Sequence, residues 1–156
     1  MNTAVTNEPS QREVLVLHRY WIWADAMRLH FLQEISPISH YNPDSEGTIH
    51  AHMYMSYWYA ALHVVIEGWE ALHLTDPTVD SLLASPSVKL LKRYRNGVFH
   101  FQRKYWDQRV IGFVSGGAES AAWVHQLHDE LGRVLLATLR ASRLQPSIEK
   151  INAPRH

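Results

Sequence analysis

The segment Arg95-Asn96-Gly97-Val98-Phe99-His100 places a permanent cation, an amide and an imidazole within six residues. A guanidinium grips phosphate oxygens, and an imidazole near neutrality moves protons, so the trio suits a phosphodiester better than a metal ion. Asn96 and His100 lie four apart and are neighbours on a helix. At about 100° per residue, Lys89, Lys92, Arg93, Asn96, His100, Arg103 and Lys104 share one side of such a helix. Leu90, Leu91, Tyr94, Val98, Phe101 and Tyr105 share the other, which predicts a buried face. Arg95 stands at the boundary, with a side chain long enough to reach the polar side. The plainer use of the same residues is an arginine paired with an acid of the second helix and a surface histidine.

At these residues the chain resembles the HEPN domain family. Arg95, the polar Asn96, three intervening positions and His100 match that family's motif, which it carries on a late helix of an all-α bundle. The resemblance implies metal-independent RNA cleavage by homodimers, with motifs from two protomers lining one cleft. The 2′-hydroxyl attacks the adjacent phosphate and leaves a cyclic phosphate and a free 5′-hydroxyl. His100 would be general base or acid, Arg95 would stabilise charge on the phosphate, and Asn96 would orient the phosphate or the other protomer's histidine. Some members add an acid from an earlier helix, for which Glu67 or Glu70 is the candidate. Other members do not cleave and serve as nucleotide-binding, antitoxin-paired or assembly modules. The alternative is therefore a non-catalytic module that binds nucleotide, RNA or a protein partner through its basic helix.

The charge balance is instructive only by position. The 156 residues hold 15 basic and 15 acidic side chains, a net charge of zero. From Leu29 through Val88 there is no Lys or Arg, whereas Glu34, Asp44, Glu46, Glu67, Glu70, Asp76 and Asp80 are acidic. From Lys89 through Arg109 the basic residues outnumber Asp107, the one acid there. Neutrality is a cancellation between an acidic stretch and a basic one. The basic residues Lys89, Lys92, Arg93, Arg103 and Lys104 are candidates to bind phosphate or RNA.

The chain has no cysteine, which excludes thiolate nucleophiles, thiolate zinc sites, iron–sulfur clusters and disulfides. Eleven histidines invite a metal reading. His63 and Glu67 are four apart, and Glu70-Ala71-Leu72-His73 has the Glu-x-x-His spacing of di-iron bundles. The last helix offers His125, His128, Asp129 and Glu130 but no second such motif, so no metal and no cofactor are expected. Ser115-Gly116-Gly117 lacks the preceding strand and the lysine of a nucleotide loop and reads as a turn. His50, His52 and His156 carry no pattern.

The elements that must position these residues are helical. Ser10-Gln11-Arg12-Glu13 fits a capping box and opens a first helix, Val14 to Ile35. A second helix, about Glu46 to Leu74, carries Ala51, Met55, Trp58, Leu62, Val65, Trp69 and Leu72 on one face. Its other face carries His52, Ser56, Tyr59, His63, Glu67 and Glu70, a polar stripe in which Tyr59, His63, Glu67 and Glu70 are possible supporting site residues. Gly68 within it suits a close helix crossing. Asp76-Pro77 starts a short helix to about Ala84, and Ser85-Pro86 opens a longer one to Trp106. A loop about Ile111 to Gly117 precedes a final helix, about Ala118 to Leu144, with Val124, Leu127, Leu131, Val134 and Thr138 on one face.

The expected fold is an all-α, up-and-down bundle of four long helices and one short one, a single domain over residues 10–144 with flexible tails at 1–9 and 145–156. No segment reaches the roughly 20 apolar residues of a membrane helix, and the N-terminus lacks the pattern of a signal peptide. The expectation is a cytoplasmic homodimer without a membrane partner, its other partners RNA or nucleotide and an antitoxin-like protein.

Overall fold

The computed structural model describes residues 8–40, 42 and 44–152, with side chains to Ala141. Parts of both expected tails, including Pro154 and His156, lie outside the described residues. The described residues form six helices and no strand: α1 (Gln11–Ile35), α2 (Glu46–Ala71), α3 (Pro77–Leu83), α4 (Ser87–Phe99), α5 (Gln108–Val114) and α6 (Gly117–Asn152).

Local chemistry fixes the starts. Ser10 and Glu13 form the expected capping box: the Ser10 hydroxyl accepts from Glu13 N–H, and the Glu13 carboxylate accepts from Ser10 N–H at 2.8 Å. The Ser45 hydroxyl accepts from Thr48 N–H at 3.3 Å. Asp76 accepts from Thr78 and Val79 N–H, with Pro77 in the first turn where its missing N–H costs nothing. α2 ends in a left-handed turn, since His73 has φ 51°, Leu74 N–H bonds Trp69 O and His73 N–H bonds Glu70 O.

α1 and α2 form an antiparallel pair. Gly68 of α2 lies against Leu17 near the start of α1, while Tyr54 stacks on His30 and Trp58 packs at a tilt against Phe31 near its end. A side chain at position 68 would collide with Leu17, so Gly68 is the close crossing that the sequence suggests. α6 runs antiparallel to α1, with Trp21 seated over Gly132 and Asp25 bonded to His128. α3 is tied to α6 by Trp123 Nε1–H donating to Leu82 O at 3.1 Å and by Arg133 on Asp76 at 3.0 Å.

Trp58 sits at the centre with no exposed surface, touching the rings of Phe31, Tyr59, His125 and His128. Burying an aromatic of about 150–250 Å² is worth about 4–6 kcal/mol of transfer free energy, against which chain entropy counts. Its indole N–H is satisfied by His128 Nδ1 at 3.2 Å. The apolar stripe of α2 lies in this core as expected, with Ala51, Trp58, Leu62, Val65 and Trp69 buried.

Three expectations are corrected. α4 stops at Phe99 rather than Trp106, because His100 is extended at φ −118° and ψ 130°. Residues 111–114, expected within a loop over Ile111 to Gly117, belong to α5, which begins at Gln108 and is capped by Asp107, which accepts from Arg109 N–H at 2.9 Å. The reason is tertiary: Phe113 is buried against Tyr59, Tyr94 and Trp123. The chain must fold back after α4 to bring it there. Gly97 permits the return, since a Cβ there would stand 2.8 Å from Val110. The third concerns length. The bundle has helices of 25, 26 and 36 residues, one of 13 and two of 7, rather than four long helices and one short. α6 runs through Pro146 to Asn152, past the expected end at Leu144.

Candidate functional site

α4 lies antiparallel on the polar stripe of α2. Tyr57 near the middle of α2 stacks on Phe99 at the end of α4, and Tyr94 donates to or accepts from Ser56 at 2.8 Å. Farther along α2, Glu67 meets Arg95. The polar stripe, whose sequence suits a solvated face or a dimer seam, is over Ser56, Tyr59, His63 and Glu67 a seam between helices of the same chain. Leu91, Tyr94 and Gly97 of α4 are all buried; Tyr94 is covered by Ser56 and Tyr59 of the seam, and Gly97 by Arg109 and Val110 of α5.

This packing brings several expected site residues together. Glu67 Oε2 is 3.7 Å from Arg95 Nη2, and Glu67 Oε1 is 3.6 Å from His63 Nδ1. Arg95 Nη1–H donates to Asn96 Oδ1 at 3.1 Å. The pairing of Arg95 with an acid of the second helix is therefore observed, through one long contact rather than a bidentate fork. Arg95 Nε and His63 Nδ1 are buried and make no hydrogen bond among the described residues. Unsatisfied buried donors and acceptors cost about 1–3 kcal/mol each, and His18 Nε2 and Trp69 Nε1, outside this cluster, are in the same state.

His63 is buried, and that burial holds its imidazole below the ordinary histidine range. Glu67 opposes the shift, while Arg95 and Lys92 reinforce it. The result is a neutral imidazole at neutral pH, able to accept a proton. His63, Glu67 and Glu70 share a cavity of about 530 Å³ with Ser85, Lys89 and Lys92. Its lysines offer charge to an anion and its glutamates offer acceptors to hydroxyls or amines.

His100 lies at the end of α4, exposed, with its N–H on Asn96 O at 3.2 Å and its carbonyl accepting from Gln102 Nε2. Asn96 and His100 are thus neighbours, as their spacing predicts. No hydrogen bond or ion pair joins the His100 ring to Arg95 or His63 among the described residues. Lys89, Lys92 and Arg93 are exposed on α4. Arg103 and Lys104 are exposed too, but on the 100–107 loop rather than on the helix.

Two aromatic expectations fail. Tyr59, expected near the site, is in the core, where burial raises its phenol to about 12 and its ring meets Trp58, Tyr94 and Phe113. Phe101 and Tyr105, expected in the core, are 92% and 88% exposed, because the helix that would have turned them inward ends at Phe99.

Sequence reasoning missed one polar network. Trp58 Nε1–H donates to His128 Nδ1, and His128 Nε2 bonds Asp25 Oδ1 at 3.0 Å, where Arg28 Nη2 also binds at 2.7 Å. With Nδ1 accepting, a neutral His128 carries its proton on Nε2 and donates to Asp25. His128 and Asp25 come from α6 and α1, and neither helix alone signals the pair. Among the described residues no cluster of three His, Asp or Glu is placed to hold a metal ion. No helix among them is long and apolar enough to cross a membrane.

The chain matches no protein-family model, no curated protein and no solved structure.

Proposed function

We propose that the chain is a HEPN-like, metal-independent endoribonuclease of the cytoplasm that acts as a homodimer. The observation that supports this best is the association on α4 of Arg95 with Asn96, beside a buried neutral His63 and an exposed His100, on a helix bearing Lys89, Lys92 and Arg93. Arg95 neutralises the scissile phosphate, and Asn96 keeps its amide N–H groups for a phosphate oxygen. His100 of one copy takes the proton from the 2′-hydroxyl, whose oxygen attacks phosphorus. The bond to the 5′-oxygen breaks, and His100 of the second copy protonates that leaving oxygen. A 2′,3′-cyclic phosphate and a 5′-hydroxyl result.

The long Glu67–Arg95 contact favours a second reading. Arg95 is already engaged, as in a non-catalytic module that binds a nucleotide, RNA or an antitoxin-like protein through the same basic face.

RNA incubated with the protein in EDTA separates the two. The endoribonuclease yields cyclic-phosphate ends, and His100→Ala and Arg95→Ala each lower the rate by about 10²–10⁴-fold. An inactive wild type, or cleavage that survives in both variants, defeats the proposal.

A further inference from the structure

The 99–106 segment, Phe99-His100-Phe101-Gln102-Arg103-Lys104-Tyr105-Trp106, sets the cations Arg103 and Lys104 between the aromatic residues Phe99 and Phe101 and the pair Tyr105 and Trp106. In the structure its rings face water: Phe101 and Tyr105 almost wholly, Trp106 at 66% and Phe99 at 53%. Tyr57, itself exposed, stacks on Phe99 at 6.2 Å and extends the surface onto α2. Tyr105 and Trp106 meet edge to face at 4.9 Å, which stiffens that end of the loop. Beside Trp106 is an apolar cavity of about 280 Å³ whose wall includes His52, Val110 and Ile111. A chain of this size has a core in which to hide such rings, so their exposure on one loop marks a surface that something covers.

We propose that this loop is a stacking platform for an unpaired RNA strand, with bases on Phe101, Tyr105 and Trp106 and phosphates on Arg103 and Lys104. Charge decides the occupant. Asp107, the acid closest to these cations in sequence, is used as the cap of α5 and is paired with Arg109 Nε at 3.4 Å. Arg103 and Lys104 are left for a polyanion. A duplex offers phosphates but hides its base faces, whereas a single strand offers both, and base–aromatic stacking is tolerant of sequence. The platform adjoins His100, so a strand lying on it delivers its sugar–phosphate backbone to the end of α4. The RNA identity of the strand rests on the proposed endoribonuclease reading, and the stacking surface does not.

The test is fluorescence anisotropy with the full chain and a labelled 2′-O-methyl oligoribonucleotide, which has no free 2′-hydroxyl and survives the measurement. The single strand is expected to bind more tightly than the same sequence as a duplex. Phe101→Ser and Tyr105→Ser are each expected to weaken it about tenfold with an unchanged salt slope, whereas Arg103→Ala reduces the slope. Thermal unfolding of each variant checks that it folds. Equal duplex binding that ignores the aromatics overturns the proposal. So does displacement of the strand by inorganic polyphosphate as effective as that by unlabelled oligoribonucleotide of equal charge, since polyphosphate has no bases. Sedimentation showing that the serine variants dissociate a dimer, with RNA affinity retained, assigns the loop to a second copy and overturns it as well. Binding that depends on the aromatics, with unmodified RNA left intact, defeats the endoribonuclease reading alone.

Discussion

Glu67 divides its two carboxylate oxygens between helices, with Arg95 on α4 at 3.7 Å and His63, one turn earlier on α2, at 3.6 Å. The acid thereby links the arginine of the candidate motif to a buried imidazole that no spacing rule connects with it. Glu67 raises the His63 proton affinity against burial. Replacing Glu67 by Gln removes that support, so the His63 titration should move further down, read from imidazole shifts in NMR. An unchanged or higher titration would show that the two groups are not coupled. The Glu67–Arg95 contact is partly exposed, so the stability cost of the same change should stay within about 1 kcal/mol.

Burial holds His63 and His128 below their ordinary value of 6.5, although Asp25 pulls His128 upward. The sign follows from proton uptake: below about pH 6.5 the unfolded chain binds protons at these sites that the folded chain refuses. Stability should therefore be complete above that pH and fall as the pH drops through it. Urea midpoints at pH 7.5 and 5.5 measure this, and equal midpoints would contradict it. Asp25 and Asp76, both held below the carboxylate value of 3.8, add a second loss only at still lower pH.

The Trp58–His128–Asp25 chain should be structural in its effect. His128→Ala leaves the buried Trp58 N–H without its acceptor and opens a cavity, at a cost of about 2–4 kcal/mol. Chemical denaturation reads that cost, and a loss below 1 kcal/mol would mean that water replaces the imidazole.

Gly68 and Gly132 both lie at helix crossings, but they should respond differently to alanine. A methyl at 132 strikes the rigid indole of Trp21, whose Nε1–H is fixed on His128 O at 2.9 Å. Overpacking of this kind costs about 1–3 kcal/mol. A methyl at 68 meets the tip of Leu17, which can rotate away, and the helix gains about 1 kcal/mol over glycine. Melting temperatures should fall for Gly132→Ala and hardly change for Gly68→Ala.

Phe101→Ser and Tyr105→Ser distinguish a helix that ends at Phe99 from one that continues to Trp106. With both rings in water, each change should alter stability by less than about 0.5 kcal/mol. Rings packed into a core would cost about 3–5 kcal/mol on truncation, and denaturant midpoints separate the two outcomes.

Local and periodic signals in the sequence were enough for the all-α class, the capping box at Ser10, the Asp76-Pro77 start, the Gly68 crossing and the apolar stripe of α2. Each depends on residues a few positions apart, where backbone geometry alone sets the neighbours. The motif Arg95, Asn96 and His100 was legible for the same reason. What only tertiary structure decided is which faces meet. The polar α2 stripe suits a solvated face or a dimer seam, yet α4 packs on its middle, with Tyr59 and His63 buried and Glu67 set against Arg95, while His52 and Glu70 stay exposed. The helical wheel places Phe101 and Tyr105 inside on the assumption of an unbroken helix. The demand to bury Phe113 against Tyr94 folds the chain back at His100 and turns those rings to water instead. Side-chain period predicts a face, but long-range packing chooses what that face touches.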